Sequence, residues 1–149
     1  MNVQEVMTAN PAYCTPDTPI ATAAKAMVDK DCGALPVVDN EDTMVPVGII
    51  TDRDITARLV AKSRNPLEST VRDAMTATTV SVQPSTEVDD ASRRMQDNQL
   101  RRLLVVDDDG RCVGMVSLAD LAGAASAQKA GQTLQDVSRP IGHASTASR

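Results

Sequence analysis

The feature that most constrains this chain is that it repeats itself. Sliding the sequence by 68 residues, the distance from Val3 to Val71, aligns Val3, Met7 and Thr8 with Val71, Met75 and Thr76. The same shift aligns Pro16, Thr18, Ile20, Ala23 and Met27 with Pro84, Thr86, Val88, Ala91 and Met95, and Leu35, Val37, Val38 and Asp39 with Leu103, Val105, Val106 and Asp107. A turn shorter by two residues then changes the offset to 66, the distance from Val47 to Val113, and Gly48, Ile50 and Asp54 meet Gly114, Val116 and Asp120. Such register identifies an internal duplication, which decides the fold before any local propensity does. A unit of about 60 residues removes too little of its surface from water to be comfortable alone, so the copies are expected to pack together. The predicted architecture is α+β: two small sheets with helices, packed about an approximate two-fold axis, with equivalent clefts between the copies.

Each copy has the same punctuation. Thr18 and Pro19 read as an N-cap and first-turn pair, followed by Ile20, Ala23, Ala24, Met27 and Val28 at helical spacing. Thr86, with Asp89 three residues on, reads as the cap of the matching helix, with Val88, Ala91 and Met95 on its buried side. Two apolar runs follow in each copy, Leu35 to Val38 and Val45 to Ile50, or Leu103 to Val106 and Cys112 to Val116, joined by polar turns, which predicts hairpins. Second helices are expected over 52–61 and 118–125, and short extended segments over 13–15 and 80–82. The divisions expected are 1–61, a linker at 62–70, 71–124, and a mobile polar tail at 125–149.

Composition removes several functions. With no Phe, no Trp and only Tyr13 among aromatics, the core must be aliphatic and base stacking on aromatic rings can contribute little. A formal charge of -5 with no basic run disfavours nucleic acid. No apolar run approaches the roughly 18 to 20 residues that span a bilayer, and the expectation is a soluble, cytoplasmic protein without a membrane partner. Cys14, Cys32 and Cys112 are odd in number and widely spaced, which argues against disulfides or zinc and for apolar filling positions. The one His, His143, falls in the tail, so no Ser-His or Cys-His pair has a base in the repeated region. Asp107, Asp108, Asp109 and Gly110 lack calcium-loop spacing and read as a turn. No enzyme chemistry, metal site or required cofactor is expected.

What remains is a matched pair of strand endings, GIITDRD at 48–54 and GMVSLAD at 114–120. Thr51 with Asp54, and Ser117 with Asp120, have the spacing of capping boxes. They also have the chemistry of a ligand clamp: helix-start amides and a hydroxyl suit an anion, and the carboxylate suits a sugar diol. Spacing alone leaves both readings open. The copies differ, because Arg53 supplies a cation beside Asp54 whereas Ala119 precedes Asp120. In the second copy Arg101 and Arg102 replace Gly33 and Ala34 and are either candidate phosphate contacts or a solvated strand entry.

Taken together, the Val-x-x-x-Met-Thr openings, the strands Leu-Pro-Val-Val-Asp and Leu-Leu-Val-Val-Asp, and the Gly-x-x-Thr/Ser-x-x-Asp endings resemble a tandem pair of CBS domains over residues 1 to 124. The resemblance implies a homodimeric regulatory module that binds adenosine nucleotides such as AMP, ADP or ATP, or S-adenosylmethionine, and acts on an effector protein. It implies ribose hydroxyls on Asp54 and Asp120, with Thr51 and Ser117 near the phosphate or ribose. The base would lie against Tyr13, Cys14 and Thr15 with Gly33, Ala34, Leu35 and Pro36, and against Val80 to Val82 with Arg102, Leu103 and Leu104. The alternative is a ligand-free structural or dimerisation module in which these motifs only cap helices.

Overall fold

A computed structural model describes residues 1–78 and 80–124, together with Gln135 and Val137. Most of the predicted tail, including His143, lies outside the described residues. In chain order the first copy carries β1 (Thr8–Ala9), α1 (Ile20–Asp29), β2 (Ala34–Val38), β3 (Pro46–Thr51) and α2 (Asp52–Arg58). The second carries β4 (Thr76–Ala77), β5 (Ser81–Val82), α3 (Val88–Asn98), β6 (Arg102–Val106), β7 (Cys112–Ser117) and α4 (Leu118–Ala124).

The described residues form two compact units, one holding 10–78 and 109–112, the other holding 1–9, 80–108 and 113–124 with Gln135 and Val137. In the first, β2, β3 and β4 form an antiparallel sheet, and Cys14 bridges Val37 in parallel on the remaining edge of β2. In the second, the order is β1-β7-β6-β5, with β1 antiparallel to β7 and β5 parallel to β6. The two sheets have one plan, with the opening segments exchanged. The β1 strand of the first copy pairs with β7 of the second, Thr8 opposite Met115 and Ala9 opposite Gly114. The β4 strand of the second copy pairs with β3 of the first in the equivalent register, Thr76 opposite Ile49 and Ala77 opposite Gly48. The tip of the second hairpin also belongs to the first unit: the Cys112 N–H donates to the Met44 carbonyl (2.8 Å), and Arg111 donates to the Asp42 carbonyl (2.5 Å).

The paired sequence positions become paired core positions. Ile20, Ala23, Met27, Leu35, Val37 and Ile50 fill the first core. Their counterparts Val88, Ala91, Met95, Leu103, Val105 and Val116 fill the second. Val3 packs into the second core and Val71 into the first, in keeping with the exchange. The motif glycines have a steric reason. A Cβ on Gly48 would lie 2.5 Å from the Thr76 carbonyl oxygen, and one on Gly114 would lie 2.6 Å from Met7 Sδ and 3.0 Å from the Thr8 carbonyl oxygen. Only a residue without a Cβ lets the exchanged edge strand approach this closely.

The side-chain caps expected from Thr18 and Thr86 are not formed. Pro19 and Glu87 occupy the N-cap positions of α1 and α3 without a side-chain cap bond. Thr18 Oγ1 instead accepts the Thr15 N–H, and Thr86 Oγ1 the Gln83 N–H, each at 3.0 Å. The first helical amides are satisfied by backbone from elsewhere: Ile20 N–H donates to the Ser69 carbonyl and Val88 N–H to the Met1 carbonyl, each at 3.0 Å. A helix start needs an acceptor for its unpaired amides, and a tertiary carbonyl serves as well as a side chain. The second helix of the first copy is also shorter than expected, since α2 ends at Arg58 and a 3-10 turn, Val60–Lys62, continues it.

Candidate functional site

In the first unit, strand β3 runs directly into α2 at Thr51, whose backbone is extended. The Asp54 N–H donates to Thr51 Oγ1 and the Thr51 N–H donates to Asp54 Oδ2, both at 3.0 Å. The box is therefore closed in both directions. The Asp52 N–H donates to the Gly33 carbonyl (3.0 Å), tying the entry of β2 to the opening of α2, and Ala34 sits opposite Thr51 in the ladder. The segment around Cys14 is held to β2 by two backbone bonds, Cys14 N–H to the Pro36 carbonyl (3.0 Å) and Val38 N–H to the Cys14 carbonyl (2.9 Å). Tyr13 to Thr15, Gly33 to Pro36 and Thr51 to Asp54 thus belong to one continuous piece of this unit.

Alternation decides which side chains face where. Cys14 and Leu35 enter the core, so they offer a ligand backbone only. Burial pushes the Cys14 thiol up to about 12, and its Sγ lies 3.7 Å from the Pro36 carbonyl oxygen. Ala34 and Pro36 lie on the other face of β2, both buried, while Tyr13 is partly exposed. Arg53 is exposed and, among the described residues, makes no ion pair. The cation beside Asp54 is Arg58, which was not anticipated: its Nε lies 3.9 Å from Asp54 Oδ1, and its Nη1 donates to the Met75 carbonyl (2.9 Å). The spacing of four on a helix is the signal that was there to find.

The second unit repeats the arrangement. The Ser117 N–H donates to Asp120 Oδ2 (2.8 Å) and the Asp120 N–H to Ser117 Oγ (3.1 Å). The Leu118 N–H donates to the Arg101 carbonyl (2.8 Å), so Arg101 stands where Gly33 stands in the first copy. Val82 and Leu103 are core residues, Val80 packs against that core, and Arg101 and Arg102 are half-buried. Position 124, equivalent to Arg58 by the offset of 66 that relates Asp54 to Asp120, is Ala124. Among the described residues no group of His, Cys, Asp and Glu is arranged to hold a metal ion, and no helix is long and apolar enough to cross a membrane.

The family model described as CBS domain matches twice, at residues 3–61 and 71–127. YlbB of Bacillus subtilis (strain 168), itself described as uncharacterized, is 39% identical over 137 residues, 91% of this chain and 90% of that protein. Among solved structures, CBSX2 of Arabidopsis thaliana in complex with AMP has a TM-score of 0.68 and 31% identity, covering 86% of this chain and 98% of that one. The CBS domain pair of MJ0100 in complex with 5'-methylthioadenosine and S-adenosyl-L-methionine has a TM-score of 0.72 and 26% identity, covering 83% and 94%. Duplicated sheets, matched strand-to-helix boxes and both family matches converge: the chain belongs to the CBS domain family, of which it carries two copies.

Proposed function

We propose that this protein is a regulatory module whose two copies each present an adenosine-binding surface, with Asp54 and Asp120 receiving ribose hydroxyls. The observation that carries this reading is the repeated joining of three elements, a strand-edge segment, a buried strand and a Ser/Thr-x-x-Asp helix opening, by backbone hydrogen bonds. Similar structures in complex with AMP and with adenosyl compounds support it. Each Asp uses Oδ2 for its cap, which leaves lone pairs on the carboxylate for a diol. The copies are expected to differ in ligand. Arg53 adds positive charge at the opening of α2, which favours a phosphate-bearing ligand, whereas α4 opens on Leu118 and Ala119 and depends on Arg101, just before β6, or Arg102 at its start. In this reading the protein is a cytoplasmic homodimer that signals to an effector protein; sedimentation showing only monomer contradicts the dimer.

A second reading, a ligand-free structural module, is favoured by one observation: both capping boxes are complete without any ligand. Melting separates the two, because a ligand that binds only the native form raises its stability. Titration of AMP, ADP, ATP and S-adenosylmethionine into the wild type, Asp54→Asn and Asp120→Asn assigns the copies. Asn keeps one oxygen to accept the cap amide but offers no carboxylate to a diol. At least one ligand should bind the wild type and bind one variant more weakly; equal binding by all three proteins contradicts the assignment.

A further inference from the structure

Arg58 makes two contacts whose equivalent position in the second copy, Ala124, has no side chain able to make them. Its Nε approaches Asp54 Oδ1 at 3.9 Å, and its Nη1 holds the Met75 carbonyl at 2.9 Å. Asp54 is the carboxylate assigned to the ribose, and its side chain is only 16% exposed, so few approaches to it are open. One of its oxygens is already engaged by the Thr51 N–H. Arg58 is ion-paired with the oxygen the cap leaves open, Oδ1, though beyond hydrogen-bond range of it, so a diol that needs this carboxylate meets the guanidinium there. Met75 directly precedes β4, the edge strand borrowed from the second copy, which packs on Gly48 of the same motif. One guanidinium thus spans the ribose-binding carboxylate and the exchanged strand.

We propose that Arg58 is a ligand-displaced lock: unliganded, it ties Asp54 to the segment Met75–Ala77, and ribose binding at Asp54 loosens that tie. The inference rests on the assignment of Asp54 to a ribose. It makes Arg58 a positioning residue that lowers affinity in the first copy and converts occupancy into a change at β4. The second copy, with Ala124 at this position, has no such lock.

The ion pair is half-exposed, and pairs of that kind are worth up to about 1 kcal/mol, a factor of about five in affinity. Adenosine, which carries no phosphate and so no charge to be steered by Arg58, is the probe, titrated into full-length protein carrying Asp120→Asn to isolate the first copy. Arg58→Ala and Arg58→Gln should each tighten adenosine binding by about two- to fivefold. Arg58→Gln retains an amide donor for the Met75 carbonyl and should melt closer to the parent than Arg58→Ala, which controls for general destabilisation. In nuclear magnetic resonance titrations, adenosine should shift the Met75 and Thr76 amides in the parent. In Arg58→Ala those shifts should largely disappear, while those at Thr51 and Ile55 persist. Unchanged or weaker adenosine binding in both variants, or undiminished Met75 shifts in Arg58→Ala, overturns the lock alone. Absence of adenosine binding in the parent and in both variants overturns the ribose assignment with it.

Discussion

At the scale of single residues, the Ser/Thr-x-x-Asp motif closes helix caps, and its spacing could not separate that role from the ligand role proposed for it. Thr51 and Ser117 close reciprocal caps, so removing a hydroxyl should cost stability whether or not a ligand exists. Thr51→Ala is expected to lose about 1 kcal/mol, read as a lower urea midpoint at unchanged slope. Asp54→Asn should lose less, because an amide oxygen can still accept the Thr51 N–H. The cysteines give a second test. Cys14 is buried with its thiol pushed up to about 12, whereas Cys32 is exposed, so alkylation of native protein at neutral pH should label Cys32 and spare Cys14.

Acid behaviour belongs to this scale too. The Thr70 backbone bond, helped by Arg64, holds Asp73 below its ordinary value, and the Thr43 hydroxyl with backbone bonds does the same for Asp39. Folded values below the unfolded value of about 3.9 mean that these groups contribute stability above that pH. The contribution is lost as pH falls from about 4 through the folded values. Asp73→Asn should therefore flatten the decline of the urea midpoint below about pH 4 relative to wild type.

At the scale of elements, glycine and the exchanged strands set the limits. Gly48→Ala pushes a methyl against a backbone carbonyl of β4, which cannot swing away, whereas Gly114→Ala first meets the end of the flexible Met7 side chain. Gly48→Ala is expected to lower the melting temperature more than Gly114→Ala, and equal effects contradict the close-packing account. The hairpins, both major helices of each copy and the core positions were legible because duplication samples each pattern twice in register. The exchange was not legible, for a physical reason. Met-Thr-Ala occurs at 7–9 and again at 75–77, so each opening strand suits either hairpin and the pattern is satisfied both ways. The caps assigned to Thr18 and Thr86 failed similarly, because carbonyls of Ser69 and Met1, far away in sequence, reach the helix starts. Arg58 was missed because its second partner, Met75, is brought close only by the pairing of β4 with β3.

At the scale of the whole molecule, duplication provides two versions of one surface that have since diverged in charge. The first opens its helix with Asp52 and Arg53 and pairs Asp54 with Arg58; the second opens with Leu118 and Ala119 and has Arg101 before β6 and Arg102 at its start. Both units keep aliphatic cores of matched plan, with changes such as Ile20 to Val88 and Ile50 to Val116 conserving apolar character, whereas the charge differences fall at the helix openings. If the surfaces bind nucleotide, native stability must rise with ligand, by about 2.7 kcal/mol at a hundredfold excess over the dissociation constant. The corresponding rise in melting temperature should be smaller for Asp54→Asn than for wild type with a phosphate-bearing ligand.

The most direct test of the central claim is calorimetric titration of AMP into wild-type protein and into the double variant Asp54→Asn/Asp120→Asn. Saturable heat in the wild type and its loss in a double variant that still melts cooperatively is the predicted result. No saturable heat in the wild type, or binding of undiminished affinity in the double variant, contradicts the account.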